Sequence, residues 1–256
     1  MISYPGAVPD DLFALSRLAR IYDELDGSRD DLALYRAVLD EVHGRSVLDV
    51  GCGTGTFACA LALSALKACG LDPAAASLDV ARGKPGADEV RWLHAPATEI
   101  PAIGCDAVTM TGNVAQVFLD DAEWAQVLTA VRATLRPGGW IVFEALEPSA
   151  RAWERWTEAE TRAEFETKTA GRVEHWTELT RVALPLVSFR HHYLFQRDQT
   201  RLTSSSTLRF RSRDEFERSL AAAGFEEISV RDAPDRPGKE NVFVARARPQ
   251  PQLVSG

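Results

Sequence analysis

The stretch Val47-Leu48-Asp49-Val50-Gly51-Cys52-Gly53-Thr54-Gly55 decides the fold: an apolar strand runs straight into a turn with glycine at every second position. Glycine lets a backbone turn sharply and approach a ligand with no Cβ in the way, and a helix that starts just after the turn aims its free N–H groups at that ligand. Turns of this kind serve nucleotide-like groups, and the spacing separates the classes. The dinucleotide fingerprint needs its third glycine three places after the second, and Thr56 stands there. This chain has G-x-G-x-G instead, with the acidic Asp49 two positions before the first glycine.

Outward from the turn, strands and helices alternate. Residues 46–50, 67–71, 90–94, 106–111 and 140–145 read as strands, and 56–66, 73–81 and 120–135 as helices. Arg136-Pro137-Gly138-Gly139 reads as the turn into the fifth strand. A closing helix over 213–223 and strands near 228–231 and 242–247, joined through Asp235-Arg236-Pro237-Gly238, bring the strand count to seven. The alternation implies right-handed crossovers and an α/β, doubly wound, mostly parallel sheet.

Upstream, 10–25 places Leu12, Leu15, Leu18, Ile21, Tyr22 and Leu25 at helical spacing. After Asp26-Gly27, Ser28 with Asp31 reads as a helix start, and Leu32, Tyr35, Val38, Leu39 and Val42 form its stripe up to Gly44. After the fifth strand the pattern changes. Residues 151–169 are polar, charged and Trp-bearing, and read as helix. The runs 172–183, 186–197 and 200–210 are rich in Val, Thr, Tyr, Phe and Trp and read as an antiparallel β insert. The expected organisation is a helical cap over 1–44, a core over 45–147, an insert over 148–211, a completing unit over 212–248 and a disordered tail over 249–256.

At 256 residues the chain is long enough for one large domain with an insert. Its formal net charge of −8 makes the surface repel phosphate backbones, which argues against a nucleic-acid partner. The lack of an apolar run of bilayer length argues against a membrane partner. Residues 1–11 have neither a basic start nor an apolar h-region, so the reading is of a cytoplasmic protein. Cys52, Cys59, Cys69 and Cys105 have no C-x-x-C spacing, which suggests reduced thiols and no metal site.

With Asp49 and Gly51 to Gly55 matching position by position, the chain resembles the class I, Rossmann-like S-adenosylmethionine (SAM) methyltransferases, whose first motif is this strand and turn. The resemblance implies SAM as cofactor, with Asp49 near the amino group of its methionine part and the Gly51, Cys52, Gly53 and Gly55 backbone against it. Asp72, 21 positions after Gly51 and followed by Pro73, stands at the end of the second strand, where a carboxylate can take both ribose hydroxyls; capping the next helix is the alternative. Pro96 occupies the position where the family often has an acidic residue near the adenine, leaving Ala97 and Thr98 for that contact. Gly112 and Asn113, after the fourth strand, would border the reacting methyl group. Tyr22 is the candidate cap residue over the cofactor; for both Tyr22 and Tyr35, core packing is the competing reading.

Methyl transfer from a sulfonium needs an acceptor in line with the S–CH3 bond and shielded from water; a base is needed only if the acceptor must lose a proton. In Ser188-Phe189-Arg190-His191-His192-Tyr193 the two histidines fall on opposite strand faces, so either His191 or His192, not both, would face a pocket as the catalytic candidate. Trp153 and Trp156 would line an aromatic pocket or simply pack. No N-P-P-Y/F-type tetrapeptide follows the fourth strand, which together with the acidic charge favours methylation at O or N of a small-molecule metabolite. The alternatives are an RNA or protein methyltransferase, or a SAM-binding protein without catalysis. A homodimer is left open.

Overall fold

The computed structural model describes residues 9–249. The first eight residues of the expected cap, and all but Pro249 of the expected tail, lie outside the described residues.

The core sheet comprises β1 (Ser46–Val50), β2 (Lys67–Asp72), β3 (Val90–His94), β4 (Cys105–Met110), β5 (Leu135–Leu146), β10 (Phe225–Asp232) and β11 (Glu240–Ala247). Its order is β10-β11-β5-β4-β1-β2-β3, parallel from β3 to β5 and antiparallel where β11 joins β5 and β10 joins β11. Alternate residues of each central strand serve opposite faces, as the pleat requires. Leu48, Val108, Ile141 and Phe143 pack beneath α7 (Asp121–Thr134) and α9 (Arg213–Ala222), while Val47, Ala107 and Val142 pack beneath α4 (Leu32–Glu41) and α5 (Thr56–Leu63). The helix α6 (Ala75–Ala81) follows β2. The expected turn at Arg136 to Gly139 belongs to β5, whose ladder with β4 shifts register between Cys105 and Ala107.

The N-terminal segment departs from the single helix expected over 10–25. It forms α1 (Asp11–Ala14), α2 (Ser16–Ala19) and α3 (Tyr22–Asp26), broken at Leu15, whose backbone is extended. Leu15 is 38% exposed although its spacing put it on the apolar stripe. The break lets Leu12, Leu18 and Ile21 all reach Val173, Tyr193 and Phe195 of the insert. The next helix starts at Leu32 rather than near Ser28, and at its N-cap the Asp31 carboxylate makes no cap bond but receives Arg29 on both oxygens.

The insert is a separate antiparallel sheet of four strands, not three: β6 (Ala163–Thr167), β7 (Gly171–Ala183), β8 (Leu186–Phe195) and β9 (Thr200–Arg209), in that order. Residues 151–169 are therefore mostly not helical; they hold 3-10 turns, the four-residue α8 (Glu158–Thr161) capped by Thr157, and β6. Glu164 and Glu166 lie on the edge strand β6, where charge discourages edge-to-edge pairing.

Trp124 is the largest fully buried side chain in the core. It meets Phe118, Phe143 and Phe216 at centroid distances of 5.7, 5.6 and 5.8 Å, and its indole N–H donates to Ser219 Oγ at 2.9 Å. Trp124→Ala is expected to cost about 3–5 kcal/mol of unfolding free energy by denaturant titration, the range for an emptied aromatic site; a cost under about 1 kcal/mol would show that α7 is not anchored there.

Candidate functional site

In an open α/β sheet, ligands bind at the carboxyl ends of the strands where the strand order reverses. Here that point lies between β1 and β4. A cavity of about 1090 Å³ opens there, roofed by the insert and by the N-terminal helices. The volume lies just above the range for single-ligand pockets, roughly 300–1000 Å³, so it suits a cofactor with an acceptor beside it.

The floor is the glycine turn. Gly51, Gly53 and Gly55 all have left-handed backbones, but their surroundings differ. A Cβ on Gly53 would meet nothing within 4 Å, so this residue leaves its backbone open to the cavity. A Cβ on Gly55 would lie 2.5 Å from the Trp92 ring; this glycine is demanded by packing and does not line the cavity. Cys52 is buried behind the lining. Asp72 and Pro73 line the floor, and the Asp72 oxygens accept the amides of Gly53 and Ala74, each at 2.8 Å. The following helix is capped at Ala74 without a side-chain bond, so Asp72 forms a local turn rather than the N-cap. Burial raises its carboxyl, and the two backbone bonds oppose that.

Asp49 lies beneath the turn, 1% exposed and outside the lining, with Oδ1 accepting from Thr109 Oγ1 at 2.8 Å. Burial pushes it up to about 7. Its side chain thus turns toward Thr109 of β4, behind the cavity wall. In the 3-10 turn Ala97–Glu99, Ala97 lines the cavity and the half-buried Thr98 stands just outside the lining.

Gly112 and Asn113, after β4, both line the cavity, and a Cβ on Gly112 would also meet open space. Glu144 at the end of β5 holds them: its Oε1 accepts from Gly112 N at 2.6 Å and Asn113 N at 3.2 Å. Its Oε2 accepts from Tyr35 Oη at 2.7 Å. Tyr35 is therefore a buried core residue against Phe57, not a cap over the cofactor. Tyr22 does line the cavity, packed on Phe13 at 5.4 Å. Arg29 and Asp31 join it there as a mutually neutralised pair, which sequence reading passed over as a polar linker.

The roof carries His175, Thr177 and His191. His191 Nδ1 lies 3.1 Å from His175 Nε2 and 3.0 Å from Thr177 Oγ1. Burial holds His191 down at about 3 and His175 at about 4, so both rings are neutral at physiological pH. His192 faces the other way, stacked on Trp176 at 4.9 Å and bonded to Glu178 at 2.8 Å. Its candidacy as a catalytic group is corrected by that orientation. Trp156 lines the cavity beside Phe189, while Trp153 is buried against Phe210.

The floor fits the SAM group implied by the turn. Two backbone segments, at Gly53 and Gly112, stand open, and each Asp72 oxygen has accepted one N–H and keeps one lone pair, enough for two vicinal hydroxyls. A family profile described as a methyltransferase domain matches residues 47–139. A ubiquinone biosynthesis O-methyltransferase of Paracidovorax citrulli is 34% identical over 122 residues, 45% of this chain and 49% of that protein. The corresponding enzyme of Chromobacterium violaceum is 35% identical over 118 residues, 44% and 49% of the two chains. The chain thus matches about half the length of these curated relatives. Among solved structures, the sugar N-methyltransferase KedS8 from Streptoalloteichus shares the fold with a TM-score of 0.74 at 22% identity over 97% of both chains. The CcbJ methyltransferase from Streptomyces caelestis does so with a TM-score of 0.74 at 21% identity over 94% of this chain and 100% of its own. Residues 47–139, which hold the glycine turn and the reversal between β1 and β4, match a methyltransferase domain, and the chain shares the α/β fold of these solved methyltransferases.

Proposed function

We propose that this protein transfers the methyl group of SAM to an oxygen or nitrogen of a small-molecule metabolite in the cytoplasm. The observation that carries the reading is one continuous cavity joining Gly53 and Asp72 on the core side to His191 on the insert side. The relatives at about one-third identity act in ubiquinone biosynthesis, which supports a small acceptor. SAM supplies, when bound, a methyl group on a positively charged sulfur, open to in-line attack.

Asp72 orients the ribose end, and the open backbone of Gly53 allows close approach. The insert and the N-terminal helices keep water from the reacting atoms. His191 has no partner on Nε2 among the described residues, while its Nδ1 is held by Thr177 and His175. In the tautomer with hydrogen on Nδ1, the Nε2 lone pair accepts the proton lost by the acceptor O–H or N–H as its new bond to carbon forms; burial disfavours the charged ring, but the sulfur loses its positive charge in the same step, so the site holds one positive charge before and after. Thr177 Oγ1 and His175 Nε2 accept the Nδ1 hydrogen and keep the ring in place.

Calorimetry with SAM and with its demethylated product tests the cofactor reading, and absence of binding by both would sink it. Transfer of labelled methyl into a metabolite extract is expected, with none into bulk RNA; label in RNA would move the acceptor to the nucleic-acid class. Gly53→Ala is expected to weaken SAM binding by more than about tenfold while costing only about 1–2 kcal/mol of stability for its left-handed backbone. Gly55→Ala is expected to act in the opposite order, lowering stability first by collision with Trp92. His191→Asn should reduce kcat by about 100-fold or more, as loss of a proton acceptor does. His192→Asn should leave kcat unchanged, and equal losses in the two variants would remove the assignment.

A further inference from the structure

The apolar part of the cavity takes no part in the chemistry above. Trp156 and Phe189 of the insert line it with ring centroids 4.6 Å apart at 60°, and Phe210 backs Trp156 at 6.2 Å. From the core, Val117, Phe118 and Leu146 line it as well, and Trp156 packs against the cluster that holds Leu146. Val117 is 45% exposed, a branched apolar side chain left bare on a cavity wall. The two walls are tied together. Buried Gln116 accepts from Leu146 N at 2.9 Å and donates to Arg209 O at 3.3 Å, and Arg209 donates to Leu119 O at 2.9 Å.

The polar groups that a sugar or an ammonium group would need are already engaged. Of the carboxylates along the cavity, Asp10 accepts from Ser206, Asp26 and Asp31 pair with Arg29, Asp72 belongs to the cofactor floor and Glu144 accepts three donors. Ser188 bonds Thr207 at 2.8 Å, and Ser205 accepts from Arg190 at 3.3 Å. What stays bare is aromatic and aliphatic surface, with the His191 ring 5.1 Å from that of Phe189. We propose that Trp156, Phe189 and Val117 form the acceptor subsite and select an uncharged planar aromatic ring that presents a hydroxyl to His191 Nε2, an assignment that rests on the methyl-transfer reading.

Aromatic rings gain from facing or edging one another beyond the area they bury, and a flat ring enters between fixed walls where a puckered one of equal carbon count does not. The ring oxygen forms its bond to the methyl carbon as the carbon–sulfur bond breaks, the electron pair of that bond stays on sulfur, and the hydroxyl proton passes to His191 Nε2. An aromatic hydroxyl ionises at about 10, as in tyrosine, far more readily than an aliphatic alcohol. His191, held down at about 3 by burial, is a weak base and suits the more acidic hydroxyl.

The test is calorimetric binding of 2-naphthol, its methyl ether, its saturated counterpart decahydro-2-naphthol and methyl glucoside, with the demethylated product of SAM present and absent. The aromatic alcohol is expected to bind about tenfold more tightly than the saturated one and than the glucoside, the scale of aromatic contact on two walls. Trp156→Ala should lose about tenfold in affinity for 2-naphthol, and Trp156→Phe should recover most of it. Wild-type affinity for SAM in both variants shows that they fold. His191→Leu should erase the preference for 2-naphthol over its methyl ether. Equal binding of the aromatic and saturated alcohols, tighter binding of the glucoside, undiminished binding by Trp156→Ala, or a preference kept in His191→Leu would overturn the subsite. Failure of every form to bind SAM would defeat the cofactor reading and leave the naphthol comparison to decide this one.

Discussion

Carboxylates on backbone amides hold the binding edge of this protein together. At the end of β2, Asp72 ties the glycine turn to the start of the next helix. At the end of β5, Glu144 ties down the turn that follows β4. A loop lined up to receive a ligand leaves amides without strand or helix partners, and a buried amide without a partner is costly. A carboxylate satisfies two at once with charge-assisted bonds while leaving the glycine backbone bare. Asp106 does the same at the opposite end of the sheet, accepting from Arg45 and Ser46.

A second set of contacts joins the cap to that edge. Asp23 of α3 accepts from Thr54 at 2.5 Å and pairs with Lys84 at 2.6 Å, and Lys84 donates to Thr56 at 2.7 Å. Leu12 N donates to Ser204 of the insert at 2.8 Å. The N-terminal helices thus bridge floor and roof. Their broken course at Leu15 follows from serving two surfaces that one straight helix would not reach.

Much of the fold was legible in the residues, because strand and helix periods and the glycine spacing are local signals. Asp49 and Asp72 stood at readable distances from Gly51, as did the seven strands. The misses are positions whose meaning depends on distant partners. Leu15 has the right spacing for a stripe but lacks a partner surface. His191 meets His175 only through the register of β7 on β8, in which Thr177 stands opposite His191. Arg29 sits in a short polar linker that nothing local distinguishes. Glu144 did leave a trace: it is the lone charge in the otherwise apolar run Trp140-Ile141-Val142-Phe143-Glu144-Ala145-Leu146, where an unpaired ion would be expensive.

The four-stranded insert contributes no strand to the core sheet and leaves it between β5 and α9, returning to the same side of the molecule. The glycine-turn side and the insert side of the cavity therefore come from different hydrogen-bond ladders. Substitutions along β8 can reshape the insert side without disturbing the glycine turn. Such a division makes residues 163–209 a rational unit to exchange in redesign, because they form a sheet of their own that shares no strand with the core.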